Sequence, residues 1–312
     1  MKKLSGLLLF CVFLGSSVNS LGCNLQGGKQ NSRLKDSKAT PPAPSPGLED
    51  RSVITIGEIK ELAAGNHSTI FESFVLIARD PKTYAALRAA SNTLPEQSAD
   101  FFESHVVVAA FLGQRSTGGF RVEITSGADG SLRIVEHTPP KDAMVTMALT
   151  APFRIVAIPV KTDQAIVLSL DETWKNRLSS YRVTSGQLSI TGGFAGVNQR
   201  LQLDGVIGVM RASELATFVF ELQSKGGKET RHLIDTASCI VEKSGRVSLP
   251  RLSSFALTGA VQSPFRATGE FSDNERALRL SLQTVGSPNI SDNFGATAEL
   301  MAVATGSQPS QN

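Results

Sequence analysis

Four histidines, His67, His105, His137 and His232, each stand alone in the chain, with no HExxH, no pair at metal-ligand spacing and no GxSxG around any serine. Zinc hydrolysis needs two imidazoles one helical turn apart, and α/β-hydrolase chemistry needs a serine on a tight strand-to-helix elbow. Each histidine therefore reads as a surface residue or a satisfied strand residue. Ser116 becomes a nucleophile only if an imidazole and an acid reach it from elsewhere, and nothing in the sequence identifies them. Asp235, Glu242, Glu270 and Asp273 pair as acid and base only through whatever fold assembles them. Among Cys11, Cys23 and Cys239, no CxxC or His-Cys spacing suggests zinc, and Cys239 inside "ASCIVE" reads as a small buried hydrophobe. The expectation is no catalytic residue, no metal and no cofactor.

What remains is the corner "LGQRSTGGFRVEI", Leu112 to Ile124. A phosphate cradle feeds a helix N-terminus, but this glycine pair feeds a strand and is followed by no Lys-Ser/Thr. Two readings stay open. Gly118 and Gly119 accept positive φ and suit a plain hairpin turn. Alternatively, Gly113, Gln114, Arg115, Ser116, Thr117, Gly118, Gly119 and Phe120 form a loop presented to a partner, with Gln114, Arg115 and Ser116 polar and exposed. These eight residues are the candidate partner-binding site.

The flanking elements must position this loop. "ITIGEIKELAAG" is ambiguous between strand and helix, and "STIFESFVLIARD" reads as a strand ending at Asp80-Pro81. "PKTYAALRAASN" predicts one helix, with Asp80 as N-cap and Pro81 at the first position. "HVVVAAFLG", "FRVEITS", "LRIVEHT", "MVTMALT" and "APFRIVAIP" predict strands, being short, β-branched or alternating, with turns at "SGADGS" and "PPKDA".

Taken together, "SADFFESHVVVAAFLGQRSTGGFRVEI", "LRIVEHTPP" and "MVTMALTAPFRIVAIP" resemble the PrcB-type domain, a family named after an accessory lipoprotein of a bacterial surface protease complex. The resemblance spans residues 54–161, and Gly113, Thr117, Gly118, Gly119, Phe120 and Ala151-Pro152-Phe153 carry most of it. It implies a small α+β or β-sandwich-like domain that is no protease itself and stabilises or docks a protein partner, a secreted or surface protease among the candidates. The linker and the C-terminal half lie outside it.

Beyond "VKTDQAIVLSLDETW", eight strand-length runs follow: "SSYRVTSGQLSITGG", "QRLQLDGVIGVM", "LATFVFELQS", "HLIDTASCIVEK", "RVSLPRLSSFALTG", "SPFRATGEFSD", "ALRLSLQTVG" and "GATAELMAVAT". Regular short strands with Gly and Ser turns predict an all-β sandwich or barrel. In "ALRLSLQ", Leu278, Leu280 and Leu282 share one face. A barrel enclosing a small apolar ligand is the alternative function, but the ordinary Leu, Val and Phe content favours a filled sandwich. "ITGGFAG" echoes "STGGFRV" as a recurrent turn, and Trp174 and Tyr181 are placed at the module junction.

The N-terminus predicts export. "MKKLSGLLLFCVFLGSSVNSLGC" has two lysines, an apolar run too short to cross a bilayer, and small residues ending in Gly22-Cys23. "SLGC" resembles a lipobox, with Ser20 departing from it where Leu is usual, so Cys23 is the expected lipidation site and a membrane anchor. Asn24 favours the outer membrane. Residues 24–50, rich in Pro, Ser and Gly, read as a disordered tether.

The formal net charge is +3, and Lys2 and Lys3 in the leading segment supply two of those charges. No basic stripe with interleaved aromatics marks a nucleic-acid partner. At 312 residues, 41% hydrophobic and 19% charged, the chain has room for two folded modules. The expected organisation is a signal peptide over 1–22, a lipidated Cys and tether over 23–51, a PrcB-like domain over 52–162, an all-β domain over 163–305 and a tail over 306–312. The expected class is mainly β: a β-rich α+β module with one helix, then an all-β sandwich or barrel.

Overall fold

In the computed structural model, the runs of β-branched and alternating residues become strands throughout. The structure describes residues 58–91, 94–160, 164–192, 197–227, 230–253, 264–272, 274–285 and 295–305. All of these belong to one compact unit, 52–312. The signal segment, Cys23 and the tether lie outside the described residues, as do Asp273 and most of "ITGGFAG".

The N-terminal part runs β1 (Lys60–Gly65), β2 (Phe74–Ala78), α1 (Pro81–Ala90), α2 (Phe101–Ser104), β3 (His105–Phe111), β4 (Arg121–Ser126), β5 (Leu132–His137), β6 (Phe153–Pro159), β7 (Leu168–Leu170) and α3 (Glu172–Lys175). Antiparallel pairing gives a four-stranded sheet in the order β1-β6-β3-β2, and β4-β5-β7 form a separate three-stranded sheet. Helix α1 starts as its sequence dictates. The Asp80 carboxylate accepts the Thr83 N–H (2.9 Å) and hydroxyl (2.6 Å), and Pro81 occupies the first turn, where its missing N–H costs nothing. Its face of Thr83, Tyr84 and Leu87 is buried.

Two expectations fail here. Because β3 and β4 lie in different sheets, the glycine corner is a crossover between sheets and not a hairpin turn. "MVTMALT" is not a strand: residues 143–149 lie outside every strand, and pairing begins with a bridge from Thr150 to Arg115. The alternation in that run suggests one buried face, but among the described residues 143–149 are exposed except for a half-buried Val145.

The C-terminal part is β8 (Ser179–Gly192), β9 (Val197–Ala212), β10 (Leu215–Lys225), β11 (His232–Ile240), β12 (Arg246–Leu252), β13 (Phe265–Ser272), β14 (Ala277–Thr284) and β15 (Gly295–Ala304). Each of the eight runs picked out in the sequence is one of these strands. They form a single sheet in the order β11-β10-β9-β8-β15-β14-β13-β12, antiparallel throughout. The ends β11 and β12 are joined by a turn and bridged at Val241–Val247, so this is a nearly closed up-and-down barrel and not the favoured sandwich.

Coiling explains the outcome. Register breaks in β8 and β15, and Gly205 at φ +142° tight against β10, bend long strands around instead of letting them stack as two layers. Alternate side chains point inward, and Phe218, Phe220, Leu249, Leu252, Leu278, Leu280 and Leu282 have no water-accessible surface. They occupy the space in which a carrier would hold its ligand.

The two parts meet along β2. As an edge strand β2 would leave alternate backbone groups unpaired, which is costly when buried. Side chains on the outer barrel wall satisfy them. Ser238 Oγ accepts the Ile77 N–H (2.8 Å), Thr217 Oγ1 donates to the Val75 carbonyl (2.5 Å), and the Val75 N–H meets Met210 Sδ at 3.3 Å. Met210, Ala212 and Leu215 accordingly belong to the N-terminal core.

Beside this contact, the buried Arg79 guanidinium meets the buried Asp235 carboxylate at 2.6 Å. That carboxylate also accepts backbone N–H groups of Ile166, Thr236 and Ser253 at 2.7, 2.8 and 2.7 Å. It binds β2, the connector, β11 and the end of β12 together where the barrel ladder opens. Burial pushes the Asp235 carboxyl upward, while Arg79 and those N–H groups pull it down. Trp174 and Tyr181 do not share a junction: Trp174 is in the N-terminal core, donating to the Phe111 carbonyl, and Tyr181 lies in the barrel core.

Candidate functional site

Strand β3 releases the chain at Phe111, and the Leu112 N–H is taken by the Pro152 carbonyl (2.9 Å). Gly113 then turns at φ +76°, with the Phe71 carbonyl oxygen 2.6 Å from where a Cβ would stand. Only glycine combines that dihedral with so close a backbone approach. The Gln114 N–H donates to that same Phe71 carbonyl (2.9 Å), and Ser73 Oγ donates to the Leu112 carbonyl (2.6 Å).

Arg115 is the anchor. Its backbone pairs both ways with Thr150 (2.7 and 2.9 Å), and its guanidinium makes two parallel bonds of 3.0 Å to the Glu136 carboxylate. The cation also lies 5.6 Å from the centre of the Phe120 ring. Glu136 accepts the Thr173 hydroxyl as well (2.7 Å), and its own N–H goes to the Asp171 carboxylate (2.9 Å). Burial pushes the Glu136 carboxyl up, but the bonds from Arg115 and Thr173 outweigh it and hold the group below the ordinary glutamate value.

Past Arg115 the loop is stitched to the segment 139–150. The Thr150 hydroxyl donates to the Thr117 carbonyl (2.8 Å), and the Gly118 N–H donates to the Thr146 carbonyl (2.9 Å). Gly119, at φ +84°, lies against Pro139 and Val145. Gly118 has no positive φ; a Cβ there would meet the Thr146 hydroxyl, which would have to turn aside.

The eight candidate residues therefore divide. Gln114, Ser116 and Gly119 are exposed, whereas Gly113 and Gly118 are buried and Arg115, Thr117 and Phe120 are partly buried. Arg115, expected to be exposed, is committed to Glu136. That ion pair, with the guanidinium over the Phe120 ring, fixes the loop's shape.

The apolar residues beside the loop were not legible in the sequence. Phe71 is 61% exposed, Met144 101%, Met147 87% and Leu149 64%. Phe71 is tied to Gln114 and Gly113, Met144 and Met147 flank Val145-Thr146 beneath Gly118-Gly119, and Leu149 precedes the Thr150 bridge. A rigid polar loop is thus edged by apolar side chains standing in solvent. The one available signal was that "PPKDAMVTMAL" has an apolar pattern but begins with two prolines, which keep neighbouring backbone out of a sheet interior.

The hydrolytic candidates are not assembled. His105 stacks on Phe101 (4.6 Å between ring centres), His137 pairs with Glu123, and His67 bridges to Ala151. No hydrogen bond joins any histidine to Ser116 among the described residues. Cys239 is buried in the barrel core, and burial pushes its thiol up to about 12, so it carries almost no thiolate at neutral pH. Among the described residues, no group of three or more His, Cys, Asp or Glu side chains could hold a metal ion.

Residues 106–159 match the family model described as PrcB C-terminal. The match takes in nearly all of β3, the whole corner, β4, β5, the exposed segment and β6. No curated protein and no solved structure matches the chain.

Proposed function

We propose that this chain is a non-enzymatic accessory protein of the cell envelope, lipid-anchored through Cys23, which docks and stabilises a protein partner at the corner formed by residues 113–120 and 139–150. A secreted or surface protease is the partner class that the PrcB resemblance favours. The observation that carries this reading is the exposure of Phe71, Met144, Met147 and Leu149 around a loop held rigid by the Arg115–Glu136 pair. Scattered exposed apolar residues are ordinary, but a cluster on a preorganised corner is a docking surface. Burying one such side chain is worth about 1.5–3 kcal/mol, enough for four of them to offset a sizeable part of the cost of association.

The family match supports an accessory role, and the high thiol pKa of Cys239 disfavours thiol chemistry. The test places a photo-reactive amino acid at Met147 in the full-length protein in its native membranes. Mass spectrometry should identify one dominant cross-linked envelope protein, and the yield should fall when Met144 and Phe71 are both changed to Ser. Absence of any protein adduct overturns the docking reading. Cys23→Ser should release the protein from the membrane fraction; retention there overturns the anchor.

A further inference from the structure

The segment beneath the glycine corner has the makings of a strand but no sheet of its own. Among the described residues, the N–H groups of Met144, Val145, Thr146, Met147, Ala148 and Leu149 donate to no protein acceptor. The Thr146 carbonyl receives the Gly118 N–H, so that residue faces the loop. The C=O and N–H of one trans peptide point in opposite directions, so the Met147 N–H, which shares its peptide with the Thr146 carbonyl, faces away from the loop.

Composition agrees with this. "AMVTMAL", 143–149, has no charge, two β-branched residues and no glycine, and Pro139-Pro140 and Lys141-Asp142 precede it. That is the make-up of a pairing strand, with flanking residues of the kind that restrain indiscriminate pairing.

We infer that residues 143–149 are a strand donor: they dock by adding to a free sheet edge of the partner, with Met144 and Met147 seated in apolar pockets on either side of that edge. This inference rests on the docking reading and specifies its mode. Area selects the occupant. Four large side chains make a patch on the order of 500 Å², short of the roughly 800 Å² per partner of a standard interface. A second copy offering the same patch across a two-fold axis would bury too little. A partner with a neutral, apolar-walled edge covers both faces of the segment and adds main-chain hydrogen bonds.

The test uses the full-length protein and the partner identified by cross-linking at Met147. Met147→Pro removes one outward N–H, whereas Met147→Val keeps it along with a strand-favouring side chain. The Met147 side chain is exposed and, among the described residues, its N–H donates to no protein acceptor, so both variants are expected to fold, and unchanged thermal unfolding of each is the condition for comparing their affinities. Expected are a loss of affinity of about tenfold or more for the proline variant, under about threefold for the valine variant, and slowed amide exchange over 144–149 in the complex; tenfold is about 1.4 kcal/mol, the scale of one hydrogen bond. Equal affinities of the proline and valine variants, or unchanged amide exchange, overturn strand addition while leaving docking intact. A cross-linked dimer of this chain as the main product overturns the choice of occupant, and absence of any adduct overturns both readings.

Discussion

Changing Asp235 to Ala should loosen the N-terminal part from the barrel before either part loses its own strands. The carboxylate accepts one guanidinium and three backbone N–H bonds, all between 2.6 and 2.8 Å. Alanine leaves Arg79 buried without its counter-charge, and breaking a buried pair on one side costs about 3–5 kcal/mol. The abandoned N–H groups of Ile166, Thr236 and Ser253 add about 1–3 kcal/mol each where water cannot reach them. These contributions overlap, so a net loss of about 5 kcal/mol is expected, against a typical total of about 5–15.

For a folded body of this size, that corresponds to a fall in Tm of about 10–20 °C. Trp174 provides the assay, because the chain contains a single tryptophan and its indole is buried in the N-terminal core. In urea, the wild type should show coincident fluorescence and circular-dichroism transitions, since Met210, Ala212 and Leu215 tie the two cores together. In Asp235→Ala the fluorescence transition should come first. Coincident transitions with a loss under about 1 kcal/mol would refute the view that this carboxylate holds the junction, since partnered buried charges are not removed so cheaply.

Three further outcomes are expected. Gly113→Ala, forced to φ +76° against the Phe71 carbonyl, should cost about 1–3 kcal/mol in urea unfolding and weaken partner capture, whereas Gly226→Ala, which has the dihedral strain of φ +94° but no atom in the way, should cost less. Glu136 has a depressed folded pKa, so its stabilisation is complete above the ordinary glutamate value and disappears as pH falls through the lower folded value; the stability gap between wild type and Glu136→Gln should therefore shrink below about pH 4. A gap independent of pH would contradict the Arg115 pairing. Cys239 should resist thiol reagents at pH 8 in the native state and react at once in denaturant, because its thiol lies at about 12 in the barrel core.

Local pattern alone carried much of this molecule. Helix α1 was legible because Asp80, Pro81 and the Tyr84–Leu87 spacing act within one or two turns. The barrel strands were legible for the same reason: period-two alternation, as at Leu278, Leu280 and Leu282, is a property of adjacent residues. The domain resemblance over 106–159 likewise rests on contiguous sequence.

Tertiary structure decided the remainder. Sandwich and barrel have the same alternation and differ only in whether β15 returns to β8, a pairing that local propensity does not encode. Arg79 and Asp235 are 156 residues apart in sequence, and each alone reads as a surface charge. The run from Met144 to Leu149 shows the limit most clearly: its residues specify a strand, but burial requires a neighbour, and among the described residues the fold supplies Gly118 at Thr146 and Arg115 at the adjoining Thr150, with no acceptor for the N–H groups of 144–149. Sequence sets what a segment can pair with; whether that partner lies within the same chain depends on long-range closure, which no local pattern contains.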